Sequence, residues 1–114
     1  MNSVQLVGRV ARDPQLRKTA NGKSYMFLSL AVSGYWDRRK KQEMTDFIPL
    51  ILWGKEAERC QYLVKGSLVS VVGRVGVSDY QDPKTGERKF SVEIVGERVE
   101  FLSKPRSAVG AGEQ

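Results

Sequence analysis

From its first residues the chain alternates apolar and polar positions with a period of two, the mark of strands that bury one face. Val4, Leu6 and Val10 share one parity, with Gln5 and Arg9 on the other. Asp13-Pro14 interrupts this first strand, and Asn21-Gly22 is a hairpin-type turn signal that opens the second. There Met26, Leu28, Leu30 and Val32 alternate with Phe27, Ser29, Ala31 and Ser33. A charged loop from Asp37 to Glu43 leads to a third strand at about 45–53. In it Ile48, Leu50 and Leu52 face one way and Phe47, Ile51 and Trp53 the other. The fourth strand runs from Leu68 to about Tyr80, with Val69, Val71, Val75 and Val77 on one face and Arg74 and Tyr80 on the opposite one. After a turn at Asp82-Pro83-Lys84-Thr85-Gly86, a fifth strand carries Phe90, Val92 and Ile94, then Val99 and Phe101. The parity changes between Ile94 and Val99, and Gly96 is the natural place for a bulge.

One segment departs from this period. Between Lys55 and Val64, Ala57, Cys60, Leu63 and Val64 fall at helical spacing, with Lys55, Glu56, Glu58 and Arg59 opposite them. Lys65-Gly66 supplies a C-terminal cation and a capping glycine. Three strands, one short helix and two strands predict an all-β domain of the OB-fold type, a five-stranded Greek-key barrel with the helix between strands 3 and 4. An SH3-like barrel would have shorter strands and no such helix, and a ferredoxin-like fold would have two helices.

The length of 114 residues is room for one domain. The ordered domain is expected over 1–103. The small and polar residues of 104–114 read as a short flexible C-terminal tail. No run of eighteen apolar residues exists to span a membrane, and the first residues lack the basic-then-apolar pattern of a secretory signal. A single cysteine and no histidine exclude an internal disulfide, a His/Cys zinc site, and the Ser-His and Cys-His nucleophile pairs. Asp13, Asp37, Asp46, Asp79 and Asp82 are scattered through turns and strand ends, so no pair of them suggests a metal or acid/base site. The chain is expected to be no enzyme and to need no cofactor and no metal. Cys60 reads as a small core residue.

Charge changes the picture. Nineteen Lys and Arg against thirteen Asp and Glu leave +6, the footprint of a phosphate-backbone binder, although solubilising surface charge gives the same sum. Strand alternation puts Phe47 and Trp53 outside the barrel if Ile48, Leu50 and Leu52 line it. Leaving such rings solvated forgoes roughly 1.5–3 kcal/mol of burial for a side chain like Phe. Tyr35, Trp36 and Tyr80 sit at strand ends, beside Arg38, Arg39, Lys40 and Lys41 and beside Lys84, Arg88 and Lys89. Rings that stack on bases, interleaved with cations that neutralise phosphates, are what single-stranded nucleic acid requires. The further candidate phosphate contacts are Arg9, Arg17, Lys55 and Arg74. Two other uses stay open: Phe47 and Trp53 as cover for a subunit interface, and Arg38–Lys41 as a solvated hairpin tip. Tyr25 and Tyr62 read as packing residues.

Several blocks in order resemble the bacterial-type single-stranded DNA-binding protein (SSB) family, across residues 2–102. They are Asn2–Val10 followed by Asp13-Pro14 and Arg17, Leu30–Ser33 leading to Trp36, Trp53-Gly54-Lys55 with Ala57-Glu58, and Tyr62–Ser67. The resemblance implies stacking aromatics at Trp36, Phe47, Trp53 and Tyr80. It also implies a homotetramer of OB-folds binding single-stranded DNA in replication, recombination, repair or DNA uptake, in the bacterial cytoplasm on the nucleoid. Pro49 departs from the family's frequent polar or basic residue and implies an edge or a bulge there. The family's long tail with an acidic tip has no counterpart in 103–114, so recruitment of replication proteins through such a tip is not expected. An RNA- or tRNA-binding OB module, or a primosome-type adaptor using the aromatic face for protein contact, are the alternatives.

Overall fold

Met26, Leu28 and Leu30, which the alternation sends inward from the second strand, are at most 1% exposed, and Val10, Leu50, Leu52, Val69, Val71 and Val99 meet them in one core. The computed structural model describes residues 1–105. Its elements are β1 (Val4–Val10), β2 (Arg17–Lys18), β3 (Ser24–Asp37), β4 (Gln42–Trp53), α1 (Gly54–Arg59), a 3₁₀ turn (Cys60–Tyr62), β5 (Leu68–Gln81) and β6 (Arg88–Ser103). The sheet order is β1-β5-β6-β4-β3-β2, and β1 also pairs with β3 at Arg9 and Val10, which closes the sheet on itself. The last seam is parallel, Ile51 beside Val95 and Leu52 beside Gly96. With α1 between its third and fourth barrel strands, this closed five-stranded barrel is an OB-fold. The two-residue β2, paired with Ser24 and Tyr25 across the Asn21-Gly22 turn, is an addition that the alternation is too short to show.

Glycines make the seam possible. A Cβ on Gly96 would stand 2.5 Å from Leu52 Cδ2, and one on Gly73 would meet the Val95 carbonyl oxygen. Between the pairs Val72–Arg98 and Gly73–Gly96, Glu97 is left over as a bulge, at the position where the parity change predicts one.

The helix is shorter than its apolar spacing predicts. Its α-helical part ends at Arg59, and Leu63 is already extended with φ −66° and ψ 146°, which lets it drop into the core. Gly66, at φ 93°, therefore caps no helix; its N–H donates to the Val10 carbonyl and shapes the return to β5. Glu56 and Arg59 strap the helix to β6. The Val99 N–H donates to Glu56 Oε2 (3.1 Å), and Arg59 Nη1 donates to the Val99 carbonyl (3.2 Å) and pairs with Glu56 (2.8 Å). Cys60 is fully buried, as the apolar stripe predicts, and burial, with Glu56 adding and Arg59 opposing, pushes its thiol up to about 11.

Two strand readings are corrected. The charged loop is a turn of only Arg38–Lys41, because β3 and β4 continue as a paired hairpin to Asp37 and Gln42. On β5 the buried face ends at Gly73: Val77 is 65% exposed, because β5 and β6 leave the barrel there as a second arm. Ile51 points outward but is only 6% exposed, covered by its neighbours Phe27 on β3 and Val95 on β6. Pro49 sits opposite Ser29 with no register shift, on the stretch of β4 whose other edge is unpaired, so it marks an edge and not a bulge. Pro105 is buried beside Gly66. From residue 106 the expected tail lies outside the described residues.

Candidate nucleic-acid interface

Cross-strand partners share a face, so the β3–β4 register fixes which rings lie together. Tyr25 is opposite Trp53, Phe27 opposite Ile51, and Ala31 opposite Phe47, all on the outer surface. Taken by parity alone, Trp36 would fall on the other side. Between Ser33 and Tyr35 the register slips by one, so Trp36 pairs with Glu43 and returns to the outer surface. The bulge sits at Gly34, where a Cβ would come 2.7 Å from Asp46 Oδ2. Tyr35, opposite Met44, is thereby turned to the other face.

The outer surface continues across the seam. One row runs Phe27–Ile51–Val95–Arg74 over β3, β4, β6 and β5, and Tyr80 shares the face of Arg74 farther out on the second arm. Trp36, Phe47, Phe27 and Tyr80 are each more than half exposed. Trp53 is half-buried in a small cluster. Tyr25 lies 5.5 Å from it at a 39° tilt, Phe27 meets Tyr25 edge-on at 5.8 Å, and Lys23 Nζ stands 4.6 Å over the indole. The four rings nominated from the sequence thus share one surface: Trp36 and Phe47 along β3–β4, Trp53 beside α1 at the other end of the barrel, and Tyr80 on the second arm.

The cations divide by what they touch. Arg38, Arg39, Lys40 and Lys41 are exposed on a turn that Asp37 shapes, its Oδ1 accepting from the N–H of Arg39 (2.9 Å) and Lys40 (3.1 Å), with Lys41 at φ 52°. Among the described residues none of these four forms a salt bridge. Arg17 stands opposite Tyr25, one step from Trp53, and Lys55 follows Trp53 at the helix start. Arg74 is exposed in the outer row. Arg9 is partly committed, its Nη1 donating to the Gly66 carbonyl at 2.8 Å. On the second arm Arg88 pairs with Asp79 at 2.6 Å and Lys89 with Asp82 at 3.3 Å, while Lys84 is exposed.

A family model described as the single-strand binding protein family matches residues 1–102, which takes in the barrel and both arms. The chain belongs to this family. Among similar curated proteins, "Single-stranded DNA-binding protein 3" of Clostridium acetobutylicum is 42% identical over 104 residues, 90% of this chain and 71% of the relative. The "Single-stranded DNA-binding protein" of Halalkalibacterium halodurans is 41% identical over 98% of this chain and 66% of its own length. That of Bacillus cereus is 41% identical over 100% of this chain and 65% of its own. The chain thus spans about two thirds of the length of these relatives.

Within this member of the family, the residues that alternation alone missed are Phe27 and Tyr25. Phe27 falls on the parity opposite Met26, Leu28 and Leu30, which was the available signal, but no cluster of cations adjoins it in the sequence as clusters do near Trp36 and Tyr80. Tyr25 packs, as expected, though on the outer surface against Trp53. The packing role expected of Tyr62 is not what the structure shows: its ring is 81% exposed, because the chain leaves the helix at Leu63 and carries Leu63, not Tyr62, inward.

Proposed function

We propose that this chain binds single-stranded DNA without regard to sequence, protecting strands exposed in replication, recombination, repair or DNA uptake in the bacterial cytoplasm. The observation that carries this is the outer surface of β3 and β4, where solvent-facing rings lie between an unpaired cationic tip and the Arg17–Lys55 end of the barrel. Trp36, Phe47, Trp53 and Tyr80 stack on bases, each contributing about 1–3 kcal/mol through a π-face that every base offers. Arg38–Lys41, Arg17, Lys55, Arg74 and Lys84 neutralise phosphates, with Arg9 and Arg88 in reduced roles because each is already partnered. The work is binding and requires no cofactor or metal. The names and bacterial sources of the relatives support the ligand class.

The assembly proposed is a homotetramer. β1 pairs with β3 only at Arg9 and Val10, with Gly8 buried against Ala31, so its edge over Val4–Val7 is open, and Val7 and Val72 are exposed on the adjoining face. An open edge beside an apolar face invites symmetric association. Light scattering should give a tetramer whose assembly survives deletion of 104–114; a monodisperse monomer at micromolar concentration removes the proposal.

Fluorescence tests the binding directly. Trp36 and Trp53 are the chain's two tryptophans, so saturating poly(dT) should quench emission strongly while duplex DNA leaves it unchanged. Unchanged emission on proven binding would place both indoles away from the bases. Matched RNA should bind no better, since preference for RNA requires contacts to the 2′-hydroxyl.

A further inference from the structure

Phe27 sits between two recesses that differ in chemistry. β4 and β6 pair only at Ile51–Val95 and Leu52–Gly96, and beyond that seam β6 swings away into the second arm. The parting leaves a slot of about 280 Å³ lined by Phe27, Pro49, Leu50, Ile51, Val92, Glu93 and Ile94. Pro49 has no N–H, so this stretch of strand edge offers one donor fewer than any other residue would give. On the other side of the same ring a second recess of about 320 Å³ is lined by Arg12, Asp13, Pro14, Gln15 and Arg17. Asp13 is already engaged, its Oδ1 accepting the Lys65 N–H at 2.7 Å.

Resting on the reading above, we propose that Phe27 is the centre of a nucleotide seat outside the four nominated rings. The base enters the slot against the Phe27 ring, and the phosphate lies toward Arg12 and Arg17. The slot is a little smaller than the roughly 300–1,000 Å³ of pockets that enclose whole small ligands, which suits one flat base. Its walls are apolar except for Glu93, whose carboxylate repels a phosphate and can accept from a base N–H. The guanidinium groups at Arg12 and Arg17 supply the opposite preference on the far side of the ring. The edge contact to Tyr25, itself against Trp53, makes the seat continuous with the proposed stacking row.

The experiment uses the full chain and oligo(dT). Phe27→Ala should weaken binding between about 5-fold and 150-fold at every salt concentration and leave the salt slope unchanged, as loss of one stacked base does. Phe27→Leu keeps an apolar wall for the slot but no ring, and should be impaired nearly as much. Both should keep the wild-type thermal midpoint within a few degrees, because Phe27 is 61% exposed. Arg12→Gln should make the slope shallower by about 0.7, the share of one phosphate on a single strand. A lone reporter closes the test: Phe27→Trp in a Trp36→Phe, Trp53→Phe background should be quenched by poly(dT). If Trp53→Ala weakens binding while Phe27→Ala binds as wild type, or the indole at 27 keeps its emission at saturation, the seat is overturned and the binding reading stands. If the unmodified chain does not bind poly(dT), both fall together.

Discussion

The two arms that leave the barrel both end in cation-bearing turns, but their electrostatic character differs. The β3–β4 tip carries Arg38, Arg39, Lys40 and Lys41; of its two acidic neighbours, Asp37 is occupied with the backbone N–H groups of the turn, and Glu43 forms no salt bridge among the described residues. The β5–β6 tip carries Lys84, Arg88 and Lys89, but Asp79 and Asp82 reach across to hold two of these three. A phosphate arriving at the first tip meets cations that give up only water. At the second it must compete with carboxylates already in place. Charge counted along the chain already ranks them, +2 over Asp37–Glu43 and zero over Asp79–Lys89. Pairing across the strands, which depends on register, widens the difference by engaging two of the second tip's cations.

The largest effect should come from stripping the first tip. Replacing Arg38, Arg39, Lys40 and Lys41 by Ala should make the log–log salt dependence of binding shallower by about 2.8, four contacts at about 0.7 each. The matching change at the second tip, Lys84→Ala with Arg88→Ala, should move it by no more than about 0.7, because only Lys84 is free to release a counterion. Equal shifts from the two variants would erase the contrast. A negligible shift from the first would return Arg38–Lys41 to the role of a solvated turn.

Trp53→Ala comes next in size and sharpens the contrast by lying on neither tip. It should cost about 1–3 kcal/mol at every salt concentration with the slope nearly unchanged. A slope change comparable to that of the stripped tip would mean that rings and cations do not divide the work.

Much of this was legible before any coordinates, for a physical reason. The barrel buries one parity of each strand, so Val4, Leu6, Val10, Met26, Leu28, Leu30, Leu50 and Leu52 announce their strands, and Gly96 announces the bulge. Trp36, Phe47, Trp53 and Tyr80 were legible as candidates because solvent-facing rings beside cations are costly without a ligand. The less legible part depends on offsets between strands. The slip at Gly34 that brings Trp36 onto the face of Phe47 changes no local pattern. The exposure of Val75 and Val77 follows from where β5 leaves the barrel, although they continue the parity of Val69 and Val71. Phe27 shows outward parity but has no cluster of cations beside it in the sequence to single it out, and the ion pairs of Arg88 and Lys89 are set by register across a hairpin.

Asp79→Asn tests that last point directly. It releases Arg88 at little cost to the fold, since an exposed pair of this kind is worth about 0–1 kcal/mol. Binding should tighten and the salt slope should steepen by up to about 0.7 as Arg88 becomes a phosphate contact. Weaker binding would mean that Asp79 holds Arg88 in place for the strand and does not compete with it.

The smallest effect concerns the turn itself. The Lys84 backbone N–H, with Lys89 beside it, holds the Asp82 carboxyl below its usual value of 3.8. A carboxylate with a lowered folded-state pKa contributes order that is fully present above 3.8 and is lost as the pH falls through the depressed value. The β5–β6 tip should therefore be unchanged from neutral pH down to about 4 and loosen below it, read from the amide signals of Lys84 and Thr85. Asp82→Asn keeps an oxygen that accepts the Lys84 N–H but carries no charge, so it should leave the tip ordered at neutral pH and remove this transition. Were the tip of this variant already loose at neutral pH, the ion pair with Lys89 would be what holds it. The second arm would then owe its shape, as well as its muted charge, to carboxylates paired with its cations, whereas Asp37 on the first arm holds backbone N–H groups.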